Sequence, residues 1–122
     1  MAKKILVTDD EANIVMMVET RLKKQGYAVI TANSGATALE QVKKDRPDLI
    51  ILDVMMPPPN GFQVCRQLKD DEQYKDIPII LLTAKSSESD QFWGMESGAD
   101  AYVTKPYNPE ELLSKVKDLL EK

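Results

Sequence analysis

The stretch PDLIILDVMMPPPNG, residues 47–61, decides the fold of this 122-residue chain. Residues 49–52 form an unbroken apolar run, which is typical of a strand that is buried on both faces of a parallel sheet. Asp53 ends this run, at the end of the strand where open α/β sheets hold their ligands. The three prolines that follow stiffen the exit from the strand, and Asn60-Gly61 predicts a turn. Asp53 is therefore a candidate functional residue; the alternative is that it only ends a strand and begins a turn.

Strands and helices alternate on both sides of this stretch. Apolar and β-branched runs predict further strands at about 5–7, 27–31, 78–83 and 101–104. Apolar spacing of three and four residues predicts helices at about 11–24, 34–46, 62–69, 87–97 and from about 108 onward. Ser34 and Asn108 are the predicted N-caps of the second and the last helix. Five strands that alternate with five helices predict one α/β domain over residues 1–122, with a parallel sheet covered on both faces.

Composition narrows the class of protein. Apolar residues make up 43% of the chain and charged residues 30%, which is ordinary for a globular domain in water. The formal net charge of −4, without a basic run, argues against direct nucleic-acid binding. No apolar run is long enough to cross a membrane and the start MAKKILVTDD lacks a signal peptide, so the sequence predicts a cytoplasmic protein. Because the chain has no histidine, metal and acid–base chemistry would fall to carboxylates and lysines.

Charged and hydroxyl side chains stand at the ends of four predicted strands. In chain order they are Asp9 and Asp10, Asp53, Thr83 and Lys105. Right-handed crossovers bring these strand ends to one edge of the sheet, so the three carboxylates converge there and need a cation. Hard oxygen ligands favour Mg²⁺. A lysine and a hydroxyl beside that ion suit a phosphoryl group, because the ammonium offsets oxygen charge and the hydroxyl donates a hydrogen bond.

These residues belong to a longer set of motifs that spans nearly the whole chain. The set comprises Asp9-Asp10, Asp53 with Met56-Pro57 and Gly61, Leu82-Thr83-Ala84, Gly98-Ala99-Asp100, Tyr102 and Lys105-Pro106. With these motifs the chain resembles the receiver domain of response regulators in two-component signalling. No linker follows the last predicted helix, which favours the stand-alone, chemotaxis-regulator-like type; the alternative is a receiver domain excised from a longer protein.

The resemblance implies a fold and a phosphoacceptor. The fold would be three-layered and flavodoxin-like, with a five-stranded parallel sheet in the order 2-1-3-4-5. Asp53 would accept a phosphoryl group from the phosphohistidine of a histidine kinase or phosphotransfer protein. Asp10, Asp53 and the backbone carbonyl of Met55 would bind Mg²⁺ directly, and Asp9 would act through a water molecule.

The resemblance also implies how the domain responds. Thr83 and Lys105 would contact the phosphoryl oxygens, and a cis Lys105–Pro106 bond would aim the ammonium at Asp53. Tyr102 would swing inward as Thr83 moves, which would change the surface formed by the fourth helix, fifth strand and fifth helix. A downstream protein would bind that surface. Such a domain catalyses its own phosphorylation and dephosphorylation, and it is not an enzyme that turns over a separate substrate.

Four positions are expected to set properties of this particular chain. In the family, the positions of Met55 and Lys85 flank the path of attacking water. Met55 cannot orient a water and Lys85 can cover the phosphoryl oxygens, so we expect a long-lived phosphoryl group. Trp93 would either lie flat on its neighbours or anchor a partner on the predicted fourth helix. Ala101 stands where receivers fused to winged-helix domains carry an acid, so we expect a monomer or a weak phosphorylation-dependent dimer.

Two other functions could use the same fold. A nucleotide-binding module needs a Gly-, Ser- or Thr-rich phosphate loop after the first strand, but residues 9–11 are all acidic. A Mg²⁺-dependent phosphatase needs room for an external substrate and a group that positions water, and the sequence shows neither clearly. Both functions stay as alternatives to the phosphoacceptor.

Overall fold

Five strands and four helices make up the described part of the chain. The computed structural model describes residues 2–83, 98–104 and 108–121. The elements are β1 Lys4–Thr8, α1 Ala12–Lys24, β2 Ala28–Ala32, α2 Gly35–Lys44, β3 Leu49–Asp53, α3 Gly61–Lys69, β4 Ile79–Thr83, β5 Ala101–Thr104 and α4 Pro109–Leu120. The helix predicted at about 87–97 lies outside the described residues. Lys85, Trp93 and the Lys105–Pro106 bond lie outside them too.

All strands pair in parallel in one sheet. Its order is β2-β1-β3-β4-β5, which confirms the predicted flavodoxin-like topology. The three inner strands read as continuous apolar runs because helices cover both of their faces. All five residues of β3 and all five of β4 are buried, whereas the edge strands β2 and β5 are only partly buried.

The apolar core forms two layers, one on each face of the sheet. On one face α2 and α3 pack against Leu6, Ile50 and Leu81. On the other face α1 and α4 pack against side chains that alternate with these along the strands, such as Val7 and Ile51. This alternation follows from the period of two along a strand. No helix in the described ranges is long and apolar enough to cross a membrane.

The helix ends follow the predicted caps. The side chain of Ser34 accepts a hydrogen bond from the backbone N–H of Thr37, and that of Asn108 accepts one from Glu110, with Pro109 in the first turn. The strand predicted at 27–31 is observed one residue later, at Ala28–Ala32. The reason is the end of α1: the N–H of Tyr27 donates to the carbonyl of Leu22, so Tyr27 closes the helix and does not begin the strand.

Candidate functional site

Three carboxylates meet at the carboxyl-terminal edge of the sheet. Strand β1 pairs with β3 so that Thr8 lies opposite Leu52. Asp9 follows Thr8 and Asp53 follows Leu52, so both acids come next at the same edge of the sheet. Oxygens of Asp9, Asp10 and Asp53 all lie within 4.8 Å of one another. The structure therefore brings together the three acids that the sequence placed at this edge.

Burial distinguishes the three acids. Asp9 is fully buried, Asp53 is 1% exposed, and Asp10 is exposed to solvent. The backbone N–H of Glu11 donates to Asp9 Oδ1 at 3.0 Å, and the N–H of Met55 donates to Asp53 Oδ1 at 3.2 Å. These bonds orient the two buried carboxylates. Because burying like charges side by side is costly, the cluster favours a bound cation.

The start of α3 packs directly against the backbone of Asp53. A Cβ atom at Gly61 would lie 2.5 Å from the carbonyl oxygen of Asp53, so this position requires glycine for close approach. Asn60 begins α3 with a capping box, in which its side chain and that of Gln63 each accept a hydrogen bond from the other's backbone N–H. The intervening segment contains a cis peptide bond between Pro58 and Pro59. The structure thus replaces the turn predicted at Asn60-Gly61 by a helix start: Asn60 is the N-cap of α3 and Gly61 its first residue, and glycine is needed there for close approach to Asp53 and not for a positive φ.

Thr83 ends the neighbouring strand at the same edge. Asp53 pairs with Leu82, so Thr83 lies one residue further toward the edge on β4, and it is 5% exposed. The N–H of Val54 donates to the carbonyl of Leu82, which continues the ladder beyond Asp53. On the other side Thr83 pairs with Thr104, the last residue of β5. Lys105 follows Thr104 in sequence but lies outside the described residues.

Tyr102 occupies the middle of β5, opposite Leu81. Its partly buried ring packs on the α2–α3 face of the core, where Cys65 and Leu68 are also buried. Burial raises the pKa of the Tyr102 phenol above 10.0, and the nearby Cys65 thiol and Asp100 carboxylate raise it further. The predicted switch residue therefore lies on β5, against the core face that α2 and α3 cover, two positions before Thr104, which pairs with Thr83.

The acidic cluster opens to solvent on the α1 side. A groove of about 520 Å³ runs past Asp9 and Asp10, between α1 and the chain that enters α2. Met16, on α1, lines this groove and is 65% exposed, and Met55 is equally exposed. The lining of the groove therefore includes the exposed apolar side chain of Met16 beside the two acids.

One polar network was not recognised from the sequence. Lys69, the last residue of α3, contacts the carboxylate of Asp100 at 2.8 Å with its ammonium group. Asp100 was noted only as part of a motif, and Lys69 was not singled out. The two residues are 31 positions apart, so no local spacing could have paired them.

The family is decided by a comparison of the whole chain with protein-family models. A model described as the response regulator receiver domain matches residues 5–117. The chain belongs to the response regulator receiver domain family. Receiver domains are signalling domains, and the function of this receiver domain is that of a phosphoacceptor in two-component signalling. The comparisons do not support the phosphatase or the nucleotide-binding module.

Individual relatives agree with this assignment. The receiver domain is 48% identical over 122 residues to the alkaline phosphatase synthesis transcriptional regulatory protein PhoP of Bacillus subtilis, covering all of this chain and 50% of that protein. It thus spans about half the length of the curated relatives it matches. The prediction of a stand-alone type stays a prediction.

Solved structures share the fold. The signal receiver domain of a histidine kinase from Syntrophus aciditrophicus superposes with a TM-score of 0.94 at 38% identity, covering 98% of this chain and 91% of that one. The chemotaxis protein CheY4 of Vibrio cholerae superposes with a TM-score of 0.92 at 38% identity, covering 98% and 100%. These values support the strand order independently of the motifs.

Proposed function

We propose that Asp53 is the phosphoacceptor of this receiver domain. A carboxylate oxygen of Asp53 attacks the phosphorus of a phosphohistidine on a histidine kinase or phosphotransfer protein. An oxygen–phosphorus bond forms, the nitrogen–phosphorus bond breaks, and its electron pair remains on the imidazole. The observation that carries the proposal is the position of Asp53, at the buried end of the central strand with Asp9 and Asp10 oxygens within 4.8 Å.

Mg²⁺ fits the donor set of this site. Three carboxylates with no sulfur or imidazole are ligands that suit Mg²⁺, and their closeness calls for a positive charge. We propose that Asp10, Asp53 and the backbone carbonyl of Met55 hold the ion, with Asp9 acting through water. When bound, the ion supplies positive charge that offsets the carboxylates and the phosphoryl oxygens.

Thr83 and Lys105 would complete the site. Thr83 lies at the same sheet edge as Asp53, where its hydroxyl would donate a hydrogen bond to a phosphoryl oxygen. Lys105 directly follows β5, and its ammonium would offset charge on the same group. With these groups the domain would catalyse its own phosphorylation and dephosphorylation without turning over a separate substrate.

The lifetime of the phosphoryl group would depend on Met55 and Lys85. The Met55 side chain is exposed beside Asp53, and its thioether orients water poorly. Lys85 would cover the phosphoryl oxygens. A Met55→Asn, Lys85→Glu double variant should therefore lose the phosphoryl group faster than the parent in a decay assay; an unchanged rate would contradict this role.

The phosphorylated domain would signal to a downstream protein through the surface formed by β5 and the helices beside it. Phosphorylation would move Thr83 and Tyr102, and this would change the surface of β5, α4 and the helix predicted at about 87–97. Trp93 on that predicted helix would anchor a downstream protein or a second copy of the domain. Trp93→Ala should weaken that binding by about 2 kcal/mol and leave phosphorylation intact. Equal binding by the variant and the parent would contradict the anchor.

The partners would be proteins in the cytoplasm. PhoP is named as a transcriptional regulatory protein, and the matched part of it is about half its length. We propose that this receiver domain acts through a protein contact and not through nucleic acid directly, because its net charge is −4. In solution it would be a monomer or a weak dimer that forms on phosphorylation.

Incubation with acetyl phosphate and Mg²⁺ tests the acceptor. Mass spectrometry should find one acid-labile phosphoryl adduct on the parent, none on Asp53→Asn, and one on the matched control Asp118→Asn, which changes an exposed acid on α4. Omission of Mg²⁺ should abolish labelling of the parent. Normal labelling of Asp53→Asn would refute the assignment.

A further inference from the structure

Lys69 uses all three of its ammonium hydrogens at the amino-terminal edge of the sheet. Its Nζ donates to the carbonyl of Lys75 at 3.1 Å, to the carbonyl of Ile77 at 2.9 Å and to Asp100 Oδ2 at 2.8 Å. The Lys69 side chain is only 16% exposed. An ammonium this buried is retained only with complete hydrogen bonding, so these contacts are specific.

Asp100 joins this ammonium to the first residue of β4. The N–H of Ile79 donates to Asp100 Oδ2 at 2.8 Å, and the N–H of Asp100 donates back to the carbonyl of Ile79 at 2.9 Å. Asp100 directly precedes β5, so its side chain supplies a hydrogen bond before the regular ladder begins. Gly98, with φ +82, brings the chain over the stem of Lys69, where an added Cβ would lie 3.3 Å from Lys69 Cγ.

Strand β5 is the outermost strand of the sheet, so hydrogen bonds outside the β4–β5 ladder help to fix its position. It has four residues and, among the strands of the described ranges, pairs with β4 alone, in a register that sets Tyr102 opposite Leu81. A slip of one residue would turn every side chain of β5 to the opposite face. Tyr102 would then leave the α2–α3 face, and Val103 would replace it.

We propose that Lys69 and Asp100 are positioning residues that set the register of β5 and hold Tyr102 on the α2–α3 face. The bonds of Lys69 and Asp100 together join four segments: the end of α3, the α3–β4 connection, the start of β4 and the residue before β5. Because Tyr102 packs on the core cluster to which Cys65 of the same α3 helix belongs, the bonds of Lys69 and Asp100, which we call the clamp, fix the ring relative to its packing partners. Its link to signalling rests on the proposed switching role of Tyr102.

The pKa of Tyr102 separates positioning from a simple charge effect. Lys69→Met removes a positive charge that faces Asp100, so a ring that stayed in place would have a higher pKa. A ring released from the core would lose the burial that is the main cause of its raised pKa, and the pKa would fall toward its ordinary value. We expect it to fall. Tyrosine titration by NMR, with Tyr102→Phe to assign the signal, measures it.

Hydrogen exchange provides the second measurement. In Lys69→Met and in Asp100→Asn, the protected amides of β5 should exchange at least about tenfold faster, while those of β1 and β3 stay protected. Lys69→Arg should restore much of this protection. Arg66→Met is the matched control, since Arg66 pairs with Asp70 on the exposed side of the same helix. Should Lys69→Met fail to fold, Lys69→Gln takes its place in both measurements.

The pKa of Tyr102 and the exchange rates of the β5 amides test the proposal whether or not the protein is phosphorylated. A higher Tyr102 pKa in the Lys69 variant, or β5 exchange equal to that of Arg66→Met, would overturn it. In the phosphorylated protein, Asp53 should be labelled at the parent's rate in Lys69→Met, while the phosphorylation-dependent shift of the Tyr102 signal shrinks. If the parent itself is not labelled at Asp53, the proposed function fails, and the titration and exchange results still test the clamp.

Discussion

Charged side chains are arranged differently at the carboxyl-terminal and the amino-terminal edge of the sheet. At the carboxyl-terminal edge, Asp9, Asp10 and Asp53 lie together with oxygens within 4.8 Å, and two of the three are buried. At the amino-terminal edge, acids meet lysines: Asp100 contacts the ammonium of Lys69, and Lys4 contacts Asp45. The carboxylates at the carboxyl-terminal edge repel one another, whereas the carboxylates at the amino-terminal edge are attracted to lysine ammonium groups.

The acidic edge has the charges that a ligand site needs, whereas the charges of the opposite edge stabilise the fold. Like charges at one point repel each other and a bound cation would relieve that repulsion, which is why we propose a ligand site at this edge. Opposite charges with complete hydrogen bonds join segments that are distant in the chain. The Lys4 N–H also donates to Asp48 at 2.8 Å, which ties the start of β1 to the residue before β3. Both edges use aspartates, so the groups that face each carboxylate distinguish the roles.

The largest expected effect is at the acidic edge. Asp10→Asn should reduce Mg²⁺ affinity by more than about 10-fold, because losing even a hydrogen-bond partner of a ligand costs about 10- to 100-fold and this change removes a charged ligand while keeping the side-chain shape. Without Mg²⁺ the same variant should unfold at higher urea, with a gain of up to about 1 kcal/mol, because repulsion with Asp9 and Asp53 is relieved. Calorimetric Mg²⁺ titration and urea unfolding measure the two effects, with Asp118→Asn as the control. Unchanged Mg²⁺ affinity would show that Asp10 is not a ligand.

The opposite edge should respond to loss of its cation with lower stability. Lys69→Met should lower the free energy of unfolding by about 2 kcal/mol, because Asp100 and two backbone carbonyls lose a charged donor. Arg66→Met, which breaks an exposed ion pair on the same helix, should change it by no more than about 0.5 kcal/mol. Urea unfolding compares the two. Equal losses would mean that the burial of Lys69 contributes nothing.

A smaller effect is expected at Thr8, one residue before the acids. Its hydroxyl is fully buried and has no hydrogen-bond partner within the part of the chain that the structure describes. Thr8→Val should therefore raise the free energy of unfolding by about 1 kcal/mol, since it removes an unsatisfied polar group. Thr8→Ser, which keeps the hydroxyl and removes a methyl group, should lower it. A destabilised Thr8→Val would reveal a partner for the hydroxyl.

The smallest effect is the pH dependence due to Tyr102. Its pKa is raised in the folded protein, mainly by burial, so the folded state keeps a proton that the unfolded chain loses above pH 10.0. The unfolded state then binds fewer protons, and the free energy of unfolding falls as pH rises from about 10 through the raised pKa. Below the ordinary pKa this contribution is fully present. Urea unfolding between about pH 8 and 11 should show a steeper fall for the parent than for Tyr102→Phe; identical slopes would contradict the raised pKa.

Much of the acidic edge could be predicted, because each acid directly follows an apolar run that can be recognised in the sequence. The apolar runs that end in Asp9 and Asp53 predict buried strands, and parallel strands with right-handed crossovers must end on the same side. The shared side of the sheet follows from those two facts, but the closeness of Asp9 and Asp53 also requires that β1 lie beside β3. The order of the strands did not follow from the periodicity and came from the family resemblance. Boundaries moved by a residue where a turn competed with a strand, as at Tyr27.

The sequence by itself determined the α/β class, the caps at Ser34 and Asn108, and the residues that stand at the strand ends. Each of these depends on neighbours within a few positions, where periodicity and turn chemistry act. Only the tertiary structure decided that Lys69 meets Asp100 and that Tyr102 packs beside Cys65. Such contacts join α3 to β4 and β5 across the chain, and they depend on which strands become neighbours and in what register. That information is not contained in any single stretch, because a strand's partners lie at distant positions in the sequence.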